Sequence, residues 1–101
     1  MVAIGDRVSS VKVGDRVVVN PGTSCGRCEF CFGGEPSLCA SYRIMGEHFT
    51  GSYARFLKMP AVNLLPLPGS ISFSEAAALG LTLLTAWRMM VVRGRISPGE
   101  D

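Results

Sequence analysis

A mainly β domain that ends in C-terminal helices, an α+β class, is what this chain of 101 residues predicts. Three observations carry the expectation. β-branched runs broken by glycine turns fill residues 1–20, and proline punctuation keeps residues 61–68 extended. After residue 72 the apolar period changes from strand-like to helical.

Taken in order, Gly5-Asp6 and Gly14-Asp15 are turn signals, and the repeated GDRV at 5–8 and 14–17 is too short to be an internal repeat. Residues 16–19 read as a strand stopped by Asn20-Pro21-Gly22. GSYARFLKMP, residues 51–60, sets Tyr53, Phe56 and Leu57 against Arg55 and Lys58, the pattern of a half-exposed strand. Residues 61–68 read as an extended segment or edge strand. Ser72-x-x-Glu75 has the form of a capping box. Ala76, Ala77, Ala78, Leu79, Leu83, Leu84, Trp87, Met90 and Val91 then follow with helical spacing. Gly80 is expected to bend or split this helix, Gly94 to end it, and Pro98-Gly99 to open a new turn. A Pro-Gly turn after a helix often leads into a strand, so the end at SPGED reads as a cut.

Composition narrows the function classes. The chain is 48% hydrophobic and 18% charged, enough apolar surface for a core and more than a lone domain easily covers. Net charge is +2 and the ten Lys and Arg are scattered, so no basic stripe suits nucleic acid. The longest apolar region, residues 76–90, falls short of the roughly 20 residues of a bilayer span. With no signal-peptide pattern in residues 1–20, a soluble, cytoplasmic protein is expected.

All four cysteines lie in TSCGRCEFCFGGEPSLC, with spacing C-x2-C-x2-C-x7-C at Cys25, Cys28, Cys31 and Cys39. Zinc takes four thiolates at tetrahedral corners about 2.3 Å away, and two-residue spacers let one tight turn aim two sulfurs at one point. An iron–sulfur cluster and disulfides are the alternatives. The bacterial ferredoxin run places its next cysteine three residues on, before proline; here Glu35 stands there, followed by Pro36. A reducing compartment disfavours disulfides. Four thiolates and zinc carry a net charge of about −2, which Arg27 or Arg43 can offset, with solvated surface arginine as the competing reading for both. With the cysteines engaged, the single His48 is the only other residue that favours zinc, so a second, catalytic zinc site cannot be assembled from this chain.

The cysteine loop preceded by KVGDRVVV, then GSYARFLKMP and EAAALGLTLLTAW, resembles the zinc-containing medium-chain alcohol dehydrogenases. The resemblance implies residues 1–101 as an incomplete GroES-like β-barrel catalytic domain. Within it, 22–42 would be a protruding structural zinc lobe and 72–93 helices leading toward a Rossmann domain outside the chain. It also implies NAD or NADP, reversible hydride transfer between a small-molecule alcohol and its aldehyde or ketone, and a homo-oligomer. Thr85 matches a family threonine near the nicotinamide. Leu81 falls where many members place a third catalytic-zinc ligand, and leucine cannot bind zinc. This departure puts a catalytic zinc in doubt and opens the zinc-free reductase branch.

Each of these residues also has a plainer role. His48 reads as a loop histidine, with a cleft or ligand role as the alternative. Thr82 and Thr85 are of a type that bonds its own helix backbone, with contact to cofactor or substrate as the alternative. Trp87, Met89 and Met90 fit core packing. A stand-alone zinc module, binding a protein or sensing redox state, is the competing function.

Overall fold

The computed structural model describes residues 1–100. Four short strands and two α-helices organise the chain: β1 (Val17–Val19), β2 (Gly22–Thr23), α1 (Glu29–Phe32), β3 (Arg43–Ile44), β4 (Leu64–Pro66) and α2 (Phe73–Trp87). The three valines of β1 are stiff, β-branched residues suited to a pleated surface. β1 pairs antiparallel with β4 in the register Val17↔Pro66, Val18↔Leu65, Val19↔Leu64. Bonds from the Leu67 amide to the Arg16 carbonyl (2.8 Å) and from the Asn20 amide to the Asn63 carbonyl (2.8 Å) extend this pairing at both ends. Pro66 sits at the margin of the ladder, where a missing amide is tolerated. β2 and β3 form a second antiparallel pair that closes the base of the cysteine loop, with Gly22↔Ile44 and Thr23↔Arg43 in register.

The expected turns at the start are present. The Val8 amide bonds the Gly5 carbonyl at 3.0 Å, and the Asp15 amide bonds Lys12 at 3.1 Å, with Gly14 at φ +92°. A 3-10 turn (Ala61–Asn63) precedes β4, so only the second half of 61–68 is strand. Residues 51–60 depart from expectation: they form bends and coil, not a strand. Alternating side chains make a strand only where a partner edge accepts its amides. Here the Ala54 amide turns back to the Ser52 carbonyl at 2.8 Å instead of joining a ladder, and neither two-stranded sheet includes these residues.

At the start of α2 the capping box forms in full: Ser72 Oγ accepts from the Glu75 amide, and the Glu75 carboxylate accepts from the Ser72 amide and hydroxyl. The Ser72 hydroxyl and amide hold the Glu75 carboxyl below its usual range. Against expectation, α2 runs unbroken through Gly80. The glycine instead marks a close approach, since a Cβ there would lie 3.6 Å from Val18 Cγ2 and 3.8 Å from the Val19 carbonyl. Both are ordinary contacts, so Gly80→Ala is expected to raise stability by about 0.5–1 kcal/mol through helix propensity. Urea unfolding measures it, and a loss of stability would mean that the helix and β1 need the missing methyl.

A π-helical turn (Arg88–Arg93) continues α2 and stops before Gly94. Together they make 21 helical residues, Phe73–Arg93, long and apolar enough by length and composition to cross a membrane. This corrects the shorter run read from the sequence, which ended at residue 90. The stretch is nonetheless docked on its own chain, through Gly80 against β1 and through Arg88 and Arg93 on Glu35.

The core is small: among the described residues, Val11, Ala76, Cys39 and Asn63 are the buried ones. Accessible surface totals 8068 Å², against about 5,500 Å² for a compact monomer of this mass. The radius of gyration is 15.3 Å, against about 13 Å for a compact domain of this length. Much of the excess is apolar. Trp87, Met89 and Met90, expected in a core, are all exposed. The strands form two separate two-stranded sheets, so the described residues do not themselves close a barrel.

Candidate metal centre

The four cysteines are brought together by a short helix between two tight turns. Cys28 is the N-cap of α1, at φ −90° and ψ 169°, and Cys31 lies one turn into the helix. Gly26 at φ +69° and Gly34 at φ +75° supply the left-handed conformations that let the chain enter and leave this helix. Past Gly34, a 3-10 turn (Pro36–Leu38) swings Cys39 back under the other three. The Cys39 amide is fixed to the Pro36 carbonyl at 3.1 Å, and the Tyr42 amide to the Cys39 carbonyl at 2.9 Å.

All four Sγ atoms lie within 4.8 Å of one another. Cys28 and Cys31 are 3.5 Å apart, and Cys25 and Cys31 are 4.0 Å apart. Thiolates at the corners of a tetrahedron around zinc stand about 3.8 Å apart, so the observed separations bracket that edge. All four thiols are free. Among the described residues this is the one group of three or more His, Cys, Asp or Glu side chains that can hold a metal ion.

The electrostatics point the same way. Cys31 is pulled down to about 6, first by the Ser24 hydroxyl, then by Cys28, the Gly26 amide and Cys25, against the opposing effect of burial. Cys25 is lowered mainly by the Arg27 amide. Cys28 moves the other way, to about 11: the Cys31 amide favours its thiolate, but burial and the three neighbouring sulfurs outweigh that amide. It keeps its proton and donates to Cys31 Sγ. The Ser41 amide donates to Cys39 Sγ at 3.3 Å. Sulfurs this close cannot all ionise unless a cation shares their charge. Four sulfurs around one metal leave no open coordination position, so such a site is structural rather than catalytic.

The other candidates fall elsewhere. His48 Nδ1 accepts from the Ile44 amide at 3.1 Å, a local turn contact that agrees with a loop histidine. Thr82 Oγ1 donates to the Ala78 carbonyl at 2.6 Å, the backbone role open to it from the start. Thr85 lies exposed on α2. Leu81, one turn earlier, lines a cavity of about 360 Å³ between β1 and α2, with Val18, Met45, Leu57 and Phe73. Neither Arg27 nor Arg43 is in an ion pair among the described residues; those pairs involve His48, Arg88 and Arg93.

One residue of the loop has a role its spacing did not announce. Glu35, noticed in the sequence only for not being cysteine, receives Arg88 Nη2 on its Oε2, and Arg93 Nη2 at 3.2 Å on the same oxygen. The bond from Arg88, with the charges of Arg88 and Arg93, holds its carboxyl below the ordinary range despite partial burial. The stability from this contact is present above the ordinary carboxylate range and is lost as pH falls through the lowered value. The basic residues sit 53 and 58 positions along the chain, so only the fold reveals the pairing.

The fold and the site together define a class by architecture: a small antiparallel β unit that carries a four-cysteine loop and is followed by a long helix. More narrowly, the chain belongs to the zinc-containing medium-chain alcohol dehydrogenase family: the model of the alcohol dehydrogenase GroES-like domain matches residues 1–69. A solved NAD-dependent alcohol dehydrogenase superposes with a TM-score of 0.94 at 51% identity, over 99% of this chain and 29% of that one. The cobalt- and zinc-bound thermostable alcohol dehydrogenase of Pyrobaculum aerophilum gives 0.86 at 37%, over 98% and 30%. Crotonyl-CoA carboxylase/reductase of Cereibacter sphaeroides is 42% identical over 89 residues, 87% of this chain and 21% of that protein. The chain thus spans between a fifth and a third of the length of these relatives.

Proposed function

We propose that this chain is part of a nicotinamide-dependent zinc alcohol dehydrogenase, and that Cys25, Cys28, Cys31 and Cys39 hold its structural zinc. The observation that carries the reading is the convergence of four free thiols within 4.8 Å. The whole enzyme transfers hydride reversibly between a small-molecule alcohol and NAD or NADP, and works as a homo-oligomer in the cytoplasm. Residues 1–101 form part of its GroES-like barrel domain, with 22–42 as the zinc lobe and 72–93 leading toward the nucleotide-binding domain. Thr85, exposed on α2, contacts the nicotinamide side of the cleft. Supporting this are the family match and the relatives whose names carry NAD, zinc and alcohol dehydrogenase.

Metal analysis of the purified chain is the test. One zinc per chain, with four thiols released on denaturation in chelator, is the expected result; a metal-free chain with all four thiols reactive overturns it. The chain alone is expected to show no alcohol dehydrogenase turnover, because nothing in it can build a catalytic zinc site.

Leu81 favours a second reading for the whole enzyme, a reductase without catalytic zinc. It stands on α2 facing the β1–α2 cavity, and a carboxylase/reductase is among the relatives. One zinc per full-length subunit supports that branch, and two support the alcohol dehydrogenase with a catalytic metal.

A further inference from the structure

We propose that Glu35 couples metal occupancy of the cysteine loop to the order of the Arg88–Arg93 turn. The inference rests on the reading of the four cysteines as a metal site. Glu35 lies four residues after Cys31 and four before Cys39, so two of the sulfurs fence its backbone from both sides. Within that fence its amide bonds the Phe30 carbonyl at 2.7 Å, and its carbonyl accepts from the Leu38 amide at 3.0 Å. A cation that fixes Cys31 and Cys39 therefore fixes the carboxylate between them.

At the far end of the contact, Arg88 and Arg93 are five residues apart. On an α-helix that spacing turns two side chains about 140° away from each other. The wider π turn, closed by i→i+5 bonds such as the Gly94 amide to the Met89 carbonyl at 2.8 Å, brings both guanidinium groups to one oxygen. No residue of 88–93 is buried. The turn therefore has little apolar packing to hold its unusual geometry, and Glu35 joins its first and last residues. Loss of the cation lets the loop spread under repulsion between its thiolates, moves Glu35, and frees the turn toward ordinary helix or coil.

Coupling of this kind is reciprocal, so breaking the contact weakens metal binding by the same factor. For a partly exposed ion pair that factor is about two- to fivefold. Hydrogen exchange across residues 88–96, followed by mass spectrometry on chelated and zinc-loaded chain, reads the order directly. Cobalt–thiolate absorbance reads binding independently of it. Zinc is expected to slow exchange across 88–96 in the natural chain. In Glu35→Gln the slowing is expected to vanish while cobalt still binds, more weakly by the same small factor. Arg88→Gln/Arg93→Gln breaks the contact without touching the loop and is expected to weaken cobalt binding equally, which separates coupling from a misfolded loop. Equal slowing in Glu35→Gln, or no effect of zinc on 88–96 in the natural chain, overturns the coupling. If cobalt gives no thiolate band with the natural chain, the metal reading falls and the coupling falls with it.

Discussion

Cys39→Ser is expected to empty the cysteine loop of zinc, taking the purified chain from one metal to less than about a tenth of one. Structural zinc sites bind with roughly 10–16 kcal/mol of apparent free energy. Shared over four thiolates, that is about 2.5–4 kcal/mol each, or two to three orders of magnitude in affinity. Cys39 is the sharpest place to test it, because its side chain is buried and its sulfur already accepts the Ser41 amide. Serine keeps the shape and the amide contact but supplies a hydroxyl that zinc binds poorly. Retention of a full zinc equivalent by Cys39→Ser would remove Cys39 from the ligand set and leave at most a three-cysteine site with an open position.

The same site sets a pH dependence with a definite sign. Zinc binds thiolates, so loading releases protons and affinity falls on acidification. In the metal-free chain, Cys31 sits at about 6, below the 9.0 of an ordinary thiol. Its contribution to stability is fully present above about 9 and is lost as pH falls through about 6. Cys28, raised to about 11, contributes in the opposite sense: fully below about 9, and lost as pH rises through about 11. Zinc affinity measured against a competing chelator between pH 8 and pH 5.5, chosen to span the range about Cys31, is expected to drop steadily.

What the sequence revealed follows from how local each feature is. The capping box, the turns at Gly5 and Gly14, the strand near 17–19 and the cysteine loop all depend on residues within a few positions of one another. Each was legible because its physics closes locally. Residues 51–60 were misread because alternation describes only a side-chain pattern, while a strand also needs its amides to join a partner's ladder, and the Ala54 amide bonds locally to Ser52 instead. Gly80 was misread as a break because its partner, β1, lies some sixty residues earlier. Arg16 shows the same limit. Its guanidinium reaches the carbonyls of Pro68 (3.3 Å), Gly69 (3.3 Å) and Ile71 (2.6 Å), and lies 4.6 Å from the centre of the Phe73 ring. That clamp orients the entry to α2, and nothing near residue 16 predicts it. At the metal centre the ligand set could be proposed from spacing alone, but not Glu35 and its arginines.

Asn63→Ala is expected to cost the largest share of stability of any single change away from the cysteines, about 2–4 kcal/mol. Asn63 is the one buried polar residue among those described. Its Nδ2 donates to the Asn20 carbonyl at 2.9 Å and to the Gly22 carbonyl at 2.5 Å, while its own carbonyl accepts the Asn20 amide. Alanine leaves two carbonyls without that donor, each unmet acceptor costing about 1–3 kcal/mol. Domains of this size have only about 5–15 kcal/mol in total. With so little core, this chain belongs near the lower end. The change acts where it matters most for the site, because residues 20–22 carry the chain from β1 into the β2–β3 pair at the base of the cysteine loop. Urea unfolding with and without zinc separates the two consequences. An equal loss in both states means that Asn63 holds only the β1–β4 unit. A larger loss with zinc bound means that it also sets the geometry from which the four sulfurs meet the metal. A loss below about 0.5 kcal/mol in both would show that the two carbonyls find other donors, and that the turn is not held by this side chain at all.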